Sequence, residues 1–368
     1  MKSVRITLPE FPYIRCLYYA FLKLIDPDKA NIRVVNNAVE LEAKGDDIRY
    51  VLSSAIEYAV ELVNDYKQRS NLKSSFPLSG NDEEIFTKLK VELGLSEDDM
   101  LAALNKYSSK IKVIDDIQSA FNDKDNTYSP LQAFLLETYS RTRAPFFNSN
   151  YKHELKMNLH QMMICAAGYI AARHSMYIVM KGEDKKRLTV LFLPLNLKVT
   201  RYDFYRAIRK IPRFPGMSPE EAVILWIVLH LPEDFYEDIL VLGVEEPGKS
   251  MQPVSSITVS SEFLIRAKRL KMLRDKPEVK ELLEDALKKG MTTKPQPEID
   301  DAIEYVKLLY LAVQEDYEKE ILELALRSSR REALLASTSS KDNAIRGRLN
   351  VARKARTISK ILLKEFAE

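Results

Sequence analysis

Two apolar, β-branched runs, Tyr177-Ile-Val-Met180 and Leu188-Thr-Val-Leu-Phe-Leu-Pro-Leu195, interrupt a chain whose remaining pattern is mostly helical. They restrict the fold more than any other stretch. The connector Lys181-Gly-Glu-Asp-Lys-Lys-Arg187 is polar and supplies glycine for a bend, which predicts a β-hairpin with a charged tip. A second pair, Asp238-Ile-Leu-Val-Leu-Gly-Val244 and Val254-Ser-Ser-Ile-Thr-Val259, is joined through Glu245-Glu-Pro-Gly-Lys-Ser250, and an apolar helix around Trp226 lies between the pairs. The expected fold class is mixed α+β, predominantly α-helical, with small antiparallel strand pairs and a C-terminal helical bundle or hairpin.

Gly243-Val-Glu-Glu-Pro-Gly-Lys-Ser250 matches the phosphate-binding pattern G-x-x-x-x-G-K-[ST] letter for letter. That loop works because its amides and the first turn of the next helix converge on phosphate. Here Met251-Gln-Pro253 and a β-branched run follow, and Glu245 and Glu246 would place two negative charges beside a polyphosphate. Two readings stand: a hairpin loop that only spells the motif, or a nucleotide site of an enzyme.

Ahead of the strand pairs, Ser3-Val-Arg-Ile-Thr reads as a strand, Tyr13 to Ile25 as a helix, Ala30 to Ala43 as two strands about the tight-turn pair Asn36-Asn37, and Asp46 to Gln68 as a long helix. The stretch from Ser70 to Glu83 is a linker, followed by two short helices, the second opened by a capping-box pattern at Ser96-Glu-Asp-Asp99. Leu131 to His174 reads as helical, with a break at 144–150. Gly290-Met-Thr-Thr-Lys-Pro-Gln-Pro297 marks a boundary. The expected domains are therefore an N-terminal α/β module (1–69), a central helical region with both strand pairs (82–290) and a basic C-terminal helical domain (298–368).

No catalytic signature was found among His-Asp, His-Glu-x-x-His, Cys-x-x-Cys and Gly-x-Ser-x-Gly, so neither catalytic residues, cofactor nor metal is expected. His153 and His160 lie seven apart, about 10 Å along a helix, too far to share a metal, and with His174 they are read as packing residues. Cys16 and Cys165 sit in apolar contexts as buried thiols. No run is apolar enough to span a membrane and the start lacks a signal-peptide core, so a cytoplasmic protein is expected. Abundant Lys and Glu with little Cys suit a thermophile.

Net charge is +3, but its distribution is uneven. From Arg327 to Lys364 there are eleven Lys and Arg against Glu332 and Asp342, which asks for an anionic partner, most commonly nucleic acid. On the last helix Val351, Ala355, Ile358, Leu362 and Phe366 share an arc of about 80°, and Arg346, Arg353, Arg356, Lys360 and Lys364 lie almost opposite. A second candidate runs from Lys198 to Phe214, where Tyr202, Arg206, Arg209 and Lys210 share one helix face and Arg201 and Arg213 flank it. It reads either as a phosphate-and-stacking surface or as a solvated basic face. A third, Arg266 to Arg274, carries Lys268, Arg269 and Lys271 around a helix.

The order of these parts resembles the large subunit of the archaeal type I-A CRISPR interference complex (Cascade). The similar features are the α/β start with Arg15-Cys-Leu-Tyr-Tyr19 in its first helix, the stretch ending Ala166-Ala-Gly-Tyr-Ile-Ala-Ala172, the hairpin from Tyr177 to Leu195, and the basic helical end. The resemblance implies a non-enzymatic subunit of a crRNA-guided complex that binds target DNA, helps recognise the protospacer-adjacent motif and opens the strands. Its implied partners are target DNA and crRNA, the backbone and small Cascade subunits, and the helicase-nuclease. The other class compatible with the residues is a structural adaptor whose basic faces meet protein carboxylates.

Overall fold

The structure, a computed structural model, describes residues 2–70, 76–78, 82–97, 99–136, 155–181, 184–197, 205, 238–245, 251–259, 276–291, 297–315, 318–338 and 342–367. It is mixed α+β and mostly helical, and it divides into two compact units, Met1–Lys210 with Glu237–Thr258, and Ile211–Tyr236 with Val259–Glu368.

The first unit opens as its sequence pattern predicts. Strands β1 (Ser3–Thr7), β2 (Ala30–Val35) and β3 (Ala38–Ala43) form an antiparallel sheet in the order β1-β3-β2. Asn36 takes φ 54° in the turn between β2 and β3, a left-handed conformation that asparagine tolerates better than most residues. The register sets Val4 opposite Leu41 and Ile6 opposite Val39, and all four are buried. At the edge of β1 the Gln118 side chain substitutes for a further strand, accepting from the Arg5 N–H at 2.6 Å and donating to the Arg5 carbonyl at 2.6 Å.

Helix α1 (Pro12–Leu22) starts on a proline, whose missing N–H costs nothing at that position. Nearly all of it is buried, because α2 (Ile48–Ser70), the apolar helix ending at Ala172 and a strand of the large sheet all pack on it. Helix α3 (Glu83–Leu93) ends on Gly94 at φ 65°. Helix α4 (Met100–Ile111) corrects the expected cap: Asp99, not Ser96, is its N-cap and accepts from the Leu101 N–H. Helix α5 (Ile117–Asn122) and the short strands β4 (Thr127–Tyr128) and β5 (Met157–Asn158) follow.

The stretch from Leu131 to His174, expected to be helical on both sides of a break at 144–150, is helical only in part among the described residues. Gln132–Phe134 is a single 3-10 turn, α6 spans Leu159–Ala172, and Arg173 and His174 already belong to a strand. Asn158 fixes where α6 begins. Its Oδ1 caps the Gln161 N–H in a full capping box, while its Nδ2 donates to the Ala120, Phe121 and Asp123 carbonyls at the end of α5. One buried amide thus joins two helix ends.

The two strand pairs form a single four-stranded sheet ordered β6 (Arg173–Lys181), β7 (Asp184–Pro194), β8 (Ile239–Glu245) and β9 (Gln252–Val259). β7 and β8 pair antiparallel from Leu188 opposite Glu245 to Pro194 opposite Ile239. Six successive residues of β8 are buried, as expected of an inner strand covered on both faces. The expected charged tip is shorter than its sequence suggests, because Lys181 pairs with Asp184 and the strands run into the connector.

The described part of the second unit is four helices: α7 (Pro277–Met291), α8 (Pro297–Glu315), α9 (Glu318–Ser337) and α10 (Asn343–Ala367). α10 packs chiefly on α9, and also on α8 and α7. Along α8 the sequence repeats Ile299, Ile303, Val306, Tyr310 and Val313 at alternating four and three residues, and the first three are buried.

Candidate nucleic-acid interface

Helix α10 is amphipathic, and the packing of its two sides follows from that. Val351, Ala352, Ala355, Ile358, Ser359 and Leu362 are buried against the other helices. Arg346, Asn350, Arg353, Thr357, Lys360 and Lys364 lie within a narrow arc on the other side and are all exposed. From Arg346 to Lys364 this stripe is about 27 Å long at 1.5 Å per residue. Asn350 and Thr357 escaped the sequence reading, which followed charge alone; helical spacing would have placed them on the same line.

Most of the other cations in the basic tail are held by the fold. Asp301, on α8 and 5% exposed, accepts from Arg348 at 2.7 and 3.2 Å and from Arg331 at 2.9 Å, and its hydrogen bond raises the Arg348 pKa further. Lys354 meets Asp285 at 2.9 Å and Glu281 at 3.0 Å; burial disfavours its ammonium, but the two carboxylates outweigh that and raise its pKa. Arg327 pairs with Glu304 at 2.5 Å and with Glu323. Glu332 accepts from Arg356 at 2.6 Å and from Arg353 at 3.4 Å, and the Arg356 bond foremost holds its carboxyl below the ordinary value.

The +9 tail is therefore largely neutralised by acids distant in sequence. Over residues 276–291, 297–315, 318–338 and 342–367 there are 16 Lys and Arg against 15 Asp and Glu. Arg330, Arg346, Lys360 and Lys364 are exposed and have no described carboxylate in ion-pair reach. Within the described part of the basic tail they are the cations left available for an external anion, with Arg353 and Arg356 shared through Glu332.

Of the other predicted contacts, Arg201, Tyr202, Arg206, Arg209, Lys210, Arg213, Lys268, Arg269 and Lys271 lie outside the described residues. Tyr205, within the second candidate segment, is buried and donates to the Ala20 carbonyl at 2.8 Å. The loop that spells a phosphate-binding motif leaves β8, which contains Gly243 and ends at Glu245, and the next described element is strand β9. A phosphate loop needs a helix N-terminus at that place.

The histidines that are described make packing contacts. His174 meets Phe192 edge-on at 4.9 Å. His160 Nδ1 is 2.8 Å from the Tyr107 hydroxyl, and its ring lies between those of Tyr107 and Phe121. Burial, aided by Lys110, pushes the His160 pKa down to about 4. The unfolded chain takes up that proton near pH 6.5 and the folded chain only near pH 4, so the unfolded state binds more protons between those values. Stability should therefore fall as pH drops from about 6.5 to about 4. Urea unfolding at several pH values should show this slope, and His160→Gln should flatten it. His153 lies outside the described residues. Cys16 and Cys165 are both buried thiols.

Among the described residues no group of three His, Cys, Asp or Glu side chains is placed to hold a metal, and no helix is long and apolar enough to cross a membrane. A family model for CRISPR-associated protein CsaX matches residues 41–329. No curated protein matches the sequence. The matched span ends within α9, before the stripe on α10.

Proposed function

The chain belongs to the CsaX family of CRISPR-associated proteins, and we propose that it is a non-catalytic, nucleic-acid-binding subunit of a crRNA-guided interference complex. The observation that carries this reading is the exposed stripe on α10, where Arg346, Arg353, Lys360 and Lys364 line up on the side away from the core. In a guided complex the RNA reads sequence by base pairing, and the protein holds phosphates and senses a short duplex motif. That task needs exposed cations on a rigid support, which α10 supplies by burying its apolar face on three other helices.

In the archaeal type I-A arrangement that the sequence resembles, such a subunit contributes to target DNA binding, protospacer-adjacent motif recognition and strand opening. It also meets the backbone and small subunits and helps recruit the helicase-nuclease in the cytoplasm. A structural adaptor is the competing reading, because neighbouring cations of the same tail, Arg348, Lys354 and Arg356, already pair with the protein carboxylates Asp301, Glu281, Asp285 and Glu332.

Salt dependence separates the two. If four to six cations meet phosphates, at about −0.7 to −0.9 per contact, the logarithm of affinity should fall with the logarithm of salt at a slope of about −3 to −5. Fluorescence anisotropy with labelled duplex DNA, single-stranded DNA and RNA from low to moderate salt reads that slope. A slope near zero for all three would reject phosphate binding by this stripe.

A further inference from the structure

We propose that α9 carries a self-complementary seam through which two copies of this chain pair antiparallel. Helix α9 has two faces. Ile321, Leu324 and Ser328 are buried against its neighbours, while Leu322, Leu326, Ser329, Ala333 and Ala336 are exposed, Leu326 at 71%. These positions follow one another at four, three, four and three residues, the spacing of a coiled-coil seam, while Leu334, 57% exposed, lies off this line.

The order of side chains along this seam names the occupant. Its first half is large (Leu322, Leu326) and its second half small (Ser329, Ala333, Ala336). A parallel partner of the same sequence would stack leucine on leucine and leave the small half empty. An antiparallel copy sets Leu326 opposite Ser329 and Leu322 opposite Ala333, so that each large residue fills the space over a small one. The flanking charges agree with that register. Glu323 and Arg330 occupy equivalent flanking positions beside the seam, and antiparallel pairing brings Glu323 of each copy to Arg330 of the other, twice by symmetry. Arg330 is exposed with no described carboxylate in reach, and Glu323, which meets Arg327 within its own helix, is half-buried and has room for a second partner. Five seam positions form a small interface, below the roughly 1,200 Å² of standard complexes, so the dimer is concentration-dependent.

Sedimentation velocity of the nuclease-treated full chain over a wide concentration range tests this. A monomer–dimer equilibrium is expected. Leu326→Glu, whose side chain lies off the buried face, should raise the dissociation constant at least about tenfold, the scale of losing one central anchor. Arg330→Glu should weaken pairing as well, by setting it against Glu323, and the added Glu323→Arg should restore it. Far-UV circular dichroism should show unchanged helix content in each variant. A chain that is monomeric at every concentration, or a dimer that Leu326→Glu leaves intact, would overturn the proposal; the first result would leave the seam to a helix of another protein.

Discussion

Gly168→Ala should destabilise the first unit by about 3–5 kcal/mol, the upper part of the range for single substitutions. Gly168 lies in α6 where that helix crosses α1. A Cβ built there would sit 2.0 Å from the Leu17 carbonyl oxygen and 2.9 Å from its carbon. Those are backbone atoms of a helix that is itself buried almost all round, so no flexible side chain can swing aside to relieve the clash. The helices would have to separate, and with them the packing of α1 on α2 and on the sheet. Gly94→Ala is the control. Nothing lies within 4 Å of its Cβ position, and its φ of 65° alone should cost about 1 kcal/mol. Thermal unfolding should show Gly168→Ala lowering the transition by about 10 °C or more, or leaving the protein insoluble. Equal, small effects at the two glycines would mean that α1 and α6 do not cross this closely.

The second large effect is expected at Asp301. Its carboxylate is 5% exposed and binds Arg348 and Arg331 together, so removing it leaves two guanidinium groups facing each other without their shared counter-charge. Asp301→Ala should cost about 2–3 kcal/mol, because hydrogen bonds to charged groups are lost, while water reaches Arg348 and Arg331, 27% and 39% exposed, and limits the penalty of leaving them unpaired. Asp301→Asn keeps an acceptor and should cost less. Urea unfolding followed by the helix signal measures both. Neutral behaviour of Asp301→Ala would mean that α8, α9 and α10 are held by apolar packing alone.

Local signals carried the N-terminal module. The Asn36-Asn37 turn, the alternation on β1 and β3 and the proline at the start of α1 each act over a few residues, and each is present in the fold. The seams of α8 and α10 were legible for the same reason, since a 3.6-residue period is a local property. What involved distant residues was not. β7 and β8 pair across more than forty residues of chain, and strand register between such segments leaves no mark in either sequence. Arg173 and His174 extend an apolar helical pattern, yet they begin β6: Arg173 pairs with Leu191 on β7, and His174 sits at the register shift before Ser175 pairs with Val190.

The candidate interface divides in the same way. The amphipathic split of α10 was readable from spacing, and the structure places its apolar side inside. The charge count overstated the free cations, because Asp301, Asp285 and Glu281 come from helices that precede the basic segment. Only the folded chain distinguishes Arg348 and Lys354, which hold helices together, from Arg346, Lys360 and Lys364, which do not.

That distinction fixes the decisive comparison: anisotropy titrations of duplex DNA, single-stranded DNA and RNA with the wild-type chain and with Arg346, Lys360 and Lys364 together changed to Glu. None of the three is held by a described carboxylate, so the fold should survive, with unchanged circular dichroism and melting. If α10 is the nucleic-acid interface, affinity should drop by about a hundredfold or more at low salt, and the salt slope should flatten by about two to three, as phosphate contacts are lost. Unchanged binding and slope in a folded variant would contradict the account and remove α10 from the nucleic-acid surface.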